Sequence, residues 1–242
     1  MRNIRSYVLW TMYSLGSLLI SIWIAWHLSA QVNFFYPSWY SVLEIDQTID
    51  DTMPRHLYKK NFIATDQEEH IRLFSEIVNS IQAKGQGLEN IVYYSPQGKE
   101  LGQLLTESEI IHLQDVATLI SLLGWYNIVF ILFCLLIMST IIFFRIRMPA
   151  IKKLCFSMVA VVLACSLIVL VIGAKKFFYW LHTVVFPENH QWFFYYEESL
   201  MSMLMKAPAL FAPVSIQILV LGMTIWVIHM LLIKKIGGFK SV

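Results

Sequence analysis

The sequence predicts an all-α membrane protein: four transmembrane helices and a mostly helical extracytoplasmic cap that also holds a possible short hairpin. Three observations predict it. Charge is missing from four long stretches, basic residues gather on one side of those stretches, and no cysteine falls outside apolar sequence. The chain has 242 residues, 57% hydrophobic and 14% charged, where a soluble domain carries about a quarter charged residues. The shortfall is concentrated at residues 6–43, 117–144, 154–174 and 207–233, none of which contains Asp, Glu, Lys or Arg. A helix needs roughly 20 apolar residues to cross the hydrocarbon, and each stretch supplies them.

The expected order is a signal-anchor helix at 1–28, cap at 29–117, second span at 118–145, and connection at 146–153. A third span at 154–176, an aromatic loop at 177–209, a fourth span at 210–233 and a tail at 234–242 complete it. The first apolar run is long for a cleaved signal and no clean small-x-small site follows it, so it reads as an uncleaved anchor.

Orientation follows from the basic residues. Arg2 and Arg5 precede the first span; Arg145, Arg147, Lys152 and Lys153 fill the second connection; Lys234, Lys235 and Lys240 follow the last. No acidic residue joins them, and all 16 carboxylates fall in the other two connections. The positive-inside rule then predicts cytoplasmic termini and an extracytoplasmic cap. Cys134, Cys155 and Cys165 lie within spans, so the outer segments have no disulfide framework. The pI near 8.4 reflects loops that face anionic lipid headgroups. Nucleic acid would require a denser basic surface, and a nucleotide would require a phosphate-cradling glycine loop, which is missing.

Residues 29–115 hold 13 acidic and 6 basic residues. Thr65 to Glu68 has capping-box spacing, and Ile71, Phe74, Val78 and Ile81 follow at helical intervals until Gly85 and Gly87. Residues 91–94 are strand-like, and Ser95, Pro96, Gln97 and Gly98 form a turn by composition. A second capping box, Thr106 to Glu109, opens a helix that nothing breaks before Gly124, so one helix is expected to run from the cap into the second span.

Of the seven histidines, two stand at one depth. His112 precedes the hydrocarbon by about 6–10 residues, roughly 9–15 Å of helix, and His182 lies a comparable distance past the third span. An imidazole titrating near pH 6.5 suits proton transfer where headgroups meet water. Plain interfacial hydrogen bonding is the alternative. Glu109 and Asp115 stand three residues either side of His112, close enough to share its helix face, as ordinary exposed charges or as partners of the imidazole. A metal is not expected: Glu-x-x-His occurs once, at 109–112, and His182 and His190 are separated by a proline. His229 lies five residues before Lys234, at headgroup level. No Gly-x-Ser-x-Gly elbow supports a serine nucleophile, and no inverted repeat supports a transporter.

The run from Leu104 to Val116 contains His112, Asp115 and Val116 in the order His-x-x-Asp-Val. The run from Leu181 through His182 and Phe186 to Trp192, with Ser199, Leu200, Pro208 and Phe211 downstream, forms a second pattern. Together they resemble the motifs of the DUF1461 integral membrane family, in a divergent branch with Leu181 in place of the usual aromatic. The resemblance implies a lipoprotein intramolecular transacylase. Such an enzyme moves the sn-2 acyl chain of a diacylglyceryl-cysteine lipoprotein to the α-amino group of the same cysteine, and needs no cofactor. It implies that His112 and His182 are catalytic. Asp115 is expected to orient His112, with His112 as base and His182 as electrophile or acid or the reverse, or with an acyl-histidine intermediate. Glu109, Trp180, Phe186 and Trp192 are expected to contact a diacylated lipoprotein or lipopeptide and membrane lipid. Two other functions fit the same residues: an envelope scaffold whose acidic cap binds a partner, and a lipase or acyltransferase acting on free phospholipid.

Overall fold

A computed structural model describes residues 2–237; Met1 and residues 238–242, among them the basic Lys240, lie outside the described residues. Among the described residues four helices are long and apolar enough to span a membrane: α1 (Arg2–Gln31), α5 (Glu107–Phe143), α6 (Ile151–Ile172) and α9 (Phe211–Ile236). Between them lie α2 (Tyr36–Val42), α3 (Ile45–Thr52), α4 (Gln67–Gln82), the strands β1 (Val92–Tyr94) and β2 (Glu100–Gln103), α7 (Ala174–Val185) and α8 (Leu200–Leu204). The chain is therefore an all-α integral membrane protein with one two-stranded hairpin. Its residues group into two compact units: one formed by 1–28, 123–174 and 216–242, the other by 29–122 and 175–215.

In the first unit α1 is the central helix. Of its most apolar window 44% is buried, against 6% for α6, which leaves α6 to face lipid. Trp10, Tyr13 and Leu18 of α1 pack with Cys134, Ile137 and Ile141 of α5, Leu154 and Met158 of α6, and Trp226 and Met230 of α9. Small residues permit the close crossings. A Cβ added at Gly222 would stand 3.0 Å from the Cα of Ile22, and one at Gly16 would stand 2.7 Å from the Cys134 sulfur. Association between spans depends on such backbone approach because lipid offers no hydrophobic drive.

The second unit is the cap. Asp66 caps α4 by accepting from the Glu69 amide at 2.9 Å, so the helix starts one residue later than Thr65 would place it. Lys84 takes the left-handed conformation that ends α4, and Gly85 follows it. The Gly85 amide reaches the Ser80 carbonyl at 2.7 Å, satisfying carbonyls the last turn would orphan. The hairpin turns at Gly98, φ +78°, as the composition predicted. Arg72 ties α4 to it by donating to the Val92 carbonyl at 2.7 Å, while Glu69 accepts from Arg72 and from the Tyr94 amide. Beneath lies a packed aromatic layer in which the Tyr36 and Phe74 rings stack 3.9 Å apart. Buried His70 accepts or donates on both ring nitrogens, to Tyr40 at 2.8 Å and Thr65 at 2.7 Å.

Two features position the candidate site. First, α5 is a single 37-residue helix whose three carboxylates all lie before Val116. Thirty-seven residues rise about 55 Å, far more than a bilayer needs, so the charged first turns stand clear of the apolar span. Second, Gly173 (φ +94°) breaks the chain between α6 and α7, ending the third span before the two lysines that follow. That break gives α7 its own helical phase.

A two-histidine candidate site in the cap

Helix α5 begins with the reciprocal cap its sequence predicts. Glu109 is buried and accepts from the Thr106 amide at 2.6 Å and the Thr106 hydroxyl at 2.8 Å. It also accepts from the Ser199 hydroxyl, which itself caps α8 by accepting from the Ser202 amide. Glu109 thus anchors α5 to the segment preceding α8.

One turn on, the His112 ring is 8% exposed. On α7, Phe178 and His182 are four residues apart, and Phe186, just past the end of the helix, is four further and keeps its amide on the His182 carbonyl at 3.0 Å, so the three share one face. That face meets His112. The His112 and His182 ring centroids are 6.0 Å apart, Phe186 lies 5.0 Å from His112 and 5.2 Å from His182, and Phe178 lies tilted against His182 at 4.0 Å. Trp192 adds a ring 5.0 Å from His182, and Phe194 one 6.0 Å from His112. The two imidazoles sit inside an aromatic enclosure.

Hydrogen bonding fixes one tautomer. His182 Nδ1 donates to the Phe178 carbonyl at 2.7 Å, since a carbonyl can only accept. The neutral ring then keeps its lone pair on Nε2. His112 Nδ1 is buried and has no hydrogen-bond partner among the described residues. Burial lowers the His112 pKa to about 4, His182 pushes the same way, and the Asp115 carboxylate opposes them. Burial also lowers His182, against the Phe178 carbonyl, which favours its charged form. Both rings are therefore neutral near pH 7 and free to take up a proton.

Asp115 has a different partner. Its carboxylate accepts from His190 Nδ1 at 2.7 Å. Three residues advance a helix by about 60° short of a full turn, so Glu109, His112 and Asp115 fan across α5 and face Ser199, the α7 rings and His190 in turn. Trp180 also stands apart: two residues before His182, it is exposed and packs against Phe177. Tyr179 joins His182 in meeting Trp192, at 5.6 Å. Nothing in the sequence spacing pairs Phe194 with His112, His190 with Asp115 or Ser199 with Glu109; the i−4 relation of Phe178 to His182 is available in it. Among the described residues no group of three or more His, Cys, Asp or Glu is placed to hold a metal.

Fold and site together define a polytopic membrane protein whose cap holds two neutral histidines in an aromatic enclosure. Residues 8–207 match the family model described as lipoprotein intramolecular transacylase Lit, and the chain belongs to that family of acyltransferases. Among solved structures it is similar to the in meso structure of the membrane integral lipoprotein intramolecular transacylase Lit from Bacillus cereus, in a form with a histidine-to-arginine mutation. The TM-score is 0.62 at 14% identity, covering 96% of this chain and 92% of that one. At that identity the likeness concerns the fold. No curated protein matches the sequence.

Proposed function

We propose that the cap site catalyses an intramolecular O-to-N acyl shift on a diacylglyceryl-cysteine lipoprotein at the extracytoplasmic face of a bacterial inner membrane. The observation that carries this reading is the pairing of His112 with His182, neutral and shielded, on two helices distant in sequence. The cysteine α-amine attacks the sn-2 ester carbonyl. A C–N bond forms, the C–O bond to glycerol breaks, the ammonium proton leaves and the departing alkoxide gains one. Both reacting groups belong to one molecule, so proximity comes largely with the substrate and the protein has to manage protons.

His182 suits the base, because donation of Nδ1–H to Phe178 leaves the Nε2 lone pair available and steadies the cation that forms. His112, buried and neutral with an unpartnered ring nitrogen, suits a hydrogen bond to the developing oxyanion, and the proton taken up by His182 passes to the departing alkoxide. Asp115 acts on His112 through its field and on His190 through its hydrogen bond. Phe186 and Trp192 offer apolar faces to the acyl chains; Trp180, exposed, offers a headgroup-level contact. The concentration of basic residues in the loops and tail of the first unit supports cytoplasmic termini.

The test is incubation of the purified protein with a synthetic diacylated lipopeptide. The shift changes no mass, so the product is identified by tandem fragmentation that locates the acyl chain on nitrogen. Conversion to the N-acyl lyso form supports the proposal. Release of lysophospholipid from added phospholipid, without lipopeptide conversion, contradicts it.

A further inference from the structure

The first unit contains a cavity of about 850 Å³ that the proposed acyl transfer does not use. That volume falls in the range of small-molecule sites. Arg145 and Arg147 line it, as do Tyr13 and His229, joined by a 2.9 Å hydrogen bond, while Ile142 and Leu232 contribute to an apolar wall. It is amphipathic: two guanidiniums, one hydrogen-bonded polar pair, and aliphatic side chains.

Two further facts bear on its occupant. Residues 1–28, 123–174 and 216–242 contain no Asp or Glu, so this unit supplies neither arginine with a carboxylate. Also, Arg145 ends α5 in the left-handed conformation, φ +48°, at a position where glycine is usual. The Ile146 amide reaches the Ile141 carbonyl at 2.9 Å and the Arg145 amide reaches Ile142 at 3.1 Å, closing the helix around that residue. Glycine would avoid the strain but would supply no cation.

We propose that this cavity binds one anionic glycerophospholipid. Its phosphate lies between Arg145 and Arg147, its ester oxygens meet the Tyr13–His229 pair, and a chain follows Ile142 and Leu232. Guanidinium forks match phosphate oxygens in pairs. A zwitterionic headgroup would place its ammonium beside two arginines with no carboxylate to receive it. A diacylglyceryl-cysteine carries no phosphate and would leave both arginines unanswered, so this site is distinct from the one in the cap.

The full-length protein, delipidated in detergent, is exchanged into phosphatidylglycerol or phosphatidylcholine and its retained lipid counted by native mass spectrometry. Wild type is expected to retain one phosphatidylglycerol and no phosphatidylcholine. The R145Q/R147Q variant is expected to retain roughly 10-fold less, whereas K234Q/K235Q, which removes two nearby charges that do not line the cavity, retains as much as wild type. Leu232→Trp keeps both guanidiniums and fills the cavity, and is expected to lower retention as well. Equal retention of both lipids by wild type overturns the proposal. So does an equal loss in K234Q/K235Q, which would mean a diffuse basic surface, or unchanged retention in R145Q/R147Q and Leu232→Trp.

Discussion

Asp115 accepts a hydrogen bond from His190, 75 residues away, although it stands one helical turn from His112. His112 therefore carries no carboxylate on its ring, and Asp115 reaches it only as a nearby negative charge that raises its proton affinity. The two motif histidines are served by different devices: a backbone carbonyl for His182, and burial with a through-space charge for His112.

Removing the charge of Asp115 is expected to make His112 harder to protonate. Burial already holds it at about 4, and Asp115 is the group that opposes. In Asp115→Asn the NMR titration midpoint of the His112 ring should therefore fall below the wild-type value. A midpoint that rises or stays would place the Asp115 field elsewhere.

Glu109 is expected to matter for stability before it matters for chemistry. Glu109→Ala removes a cap and leaves Ser199 and the Thr106 amide without their acceptor. Loss of a cap together with a buried hydrogen bond costs about 1–3 kcal/mol. Thermal unfolding in detergent should show the loss, and Ser199→Ala should show a smaller one.

The cap should weaken in mild acid through His70. Burial lowers its pKa from 6.5 to about 4, against Asp66, Glu69 and Asp46, which raise it. The unfolded chain takes up the proton first, so this stability is fully present above pH 6.5 and is lost as pH falls toward 4. The shift corresponds to on the order of 3 kcal/mol. Hydrogen exchange of α4 amides should accelerate across that window in wild type, and the pH dependence should flatten in His70→Gln.

Gly222 should tolerate nothing larger. An added methyl would press on the Ile22 backbone at 3.0 Å, which cannot rotate away as a side chain can. Gly222→Ala is expected to cost about 1–3 kcal/mol by overpacking, and Gly222→Leu more, read from thermal unfolding of the detergent-solubilised protein.

Most of the secondary structure was legible because it rests on local rules. Missing charge marked the four spans, Thr106 and Glu109 marked the start of α5, and Gly98 marked the hairpin turn. The meeting of His112 with His182 was legible only as a shared depth, since helical rise converts sequence distance into height. Partners across the cap were not legible. Ser199 and Glu109 are 90 residues apart, and His190 reaches Asp115 across a proline-containing loop whose path no periodicity encodes. Trp180 shares aromatic composition with the site, but it is His182 and Phe186 whose rings meet His112, while Phe178 packs on His182.

The most direct measurement uses a diacylated lipopeptide labelled in its sn-2 acyl chain, with wild type, His112→Gln and His182→Gln compared at equal folded protein. The account predicts label on the cysteine nitrogen in wild type and a loss of rate of about 10²–10⁴-fold in each variant, the range expected for removal of a proton-transfer group. Wild-type rates in either variant, or label transferred to a second lipopeptide molecule instead of the same one, would contradict it.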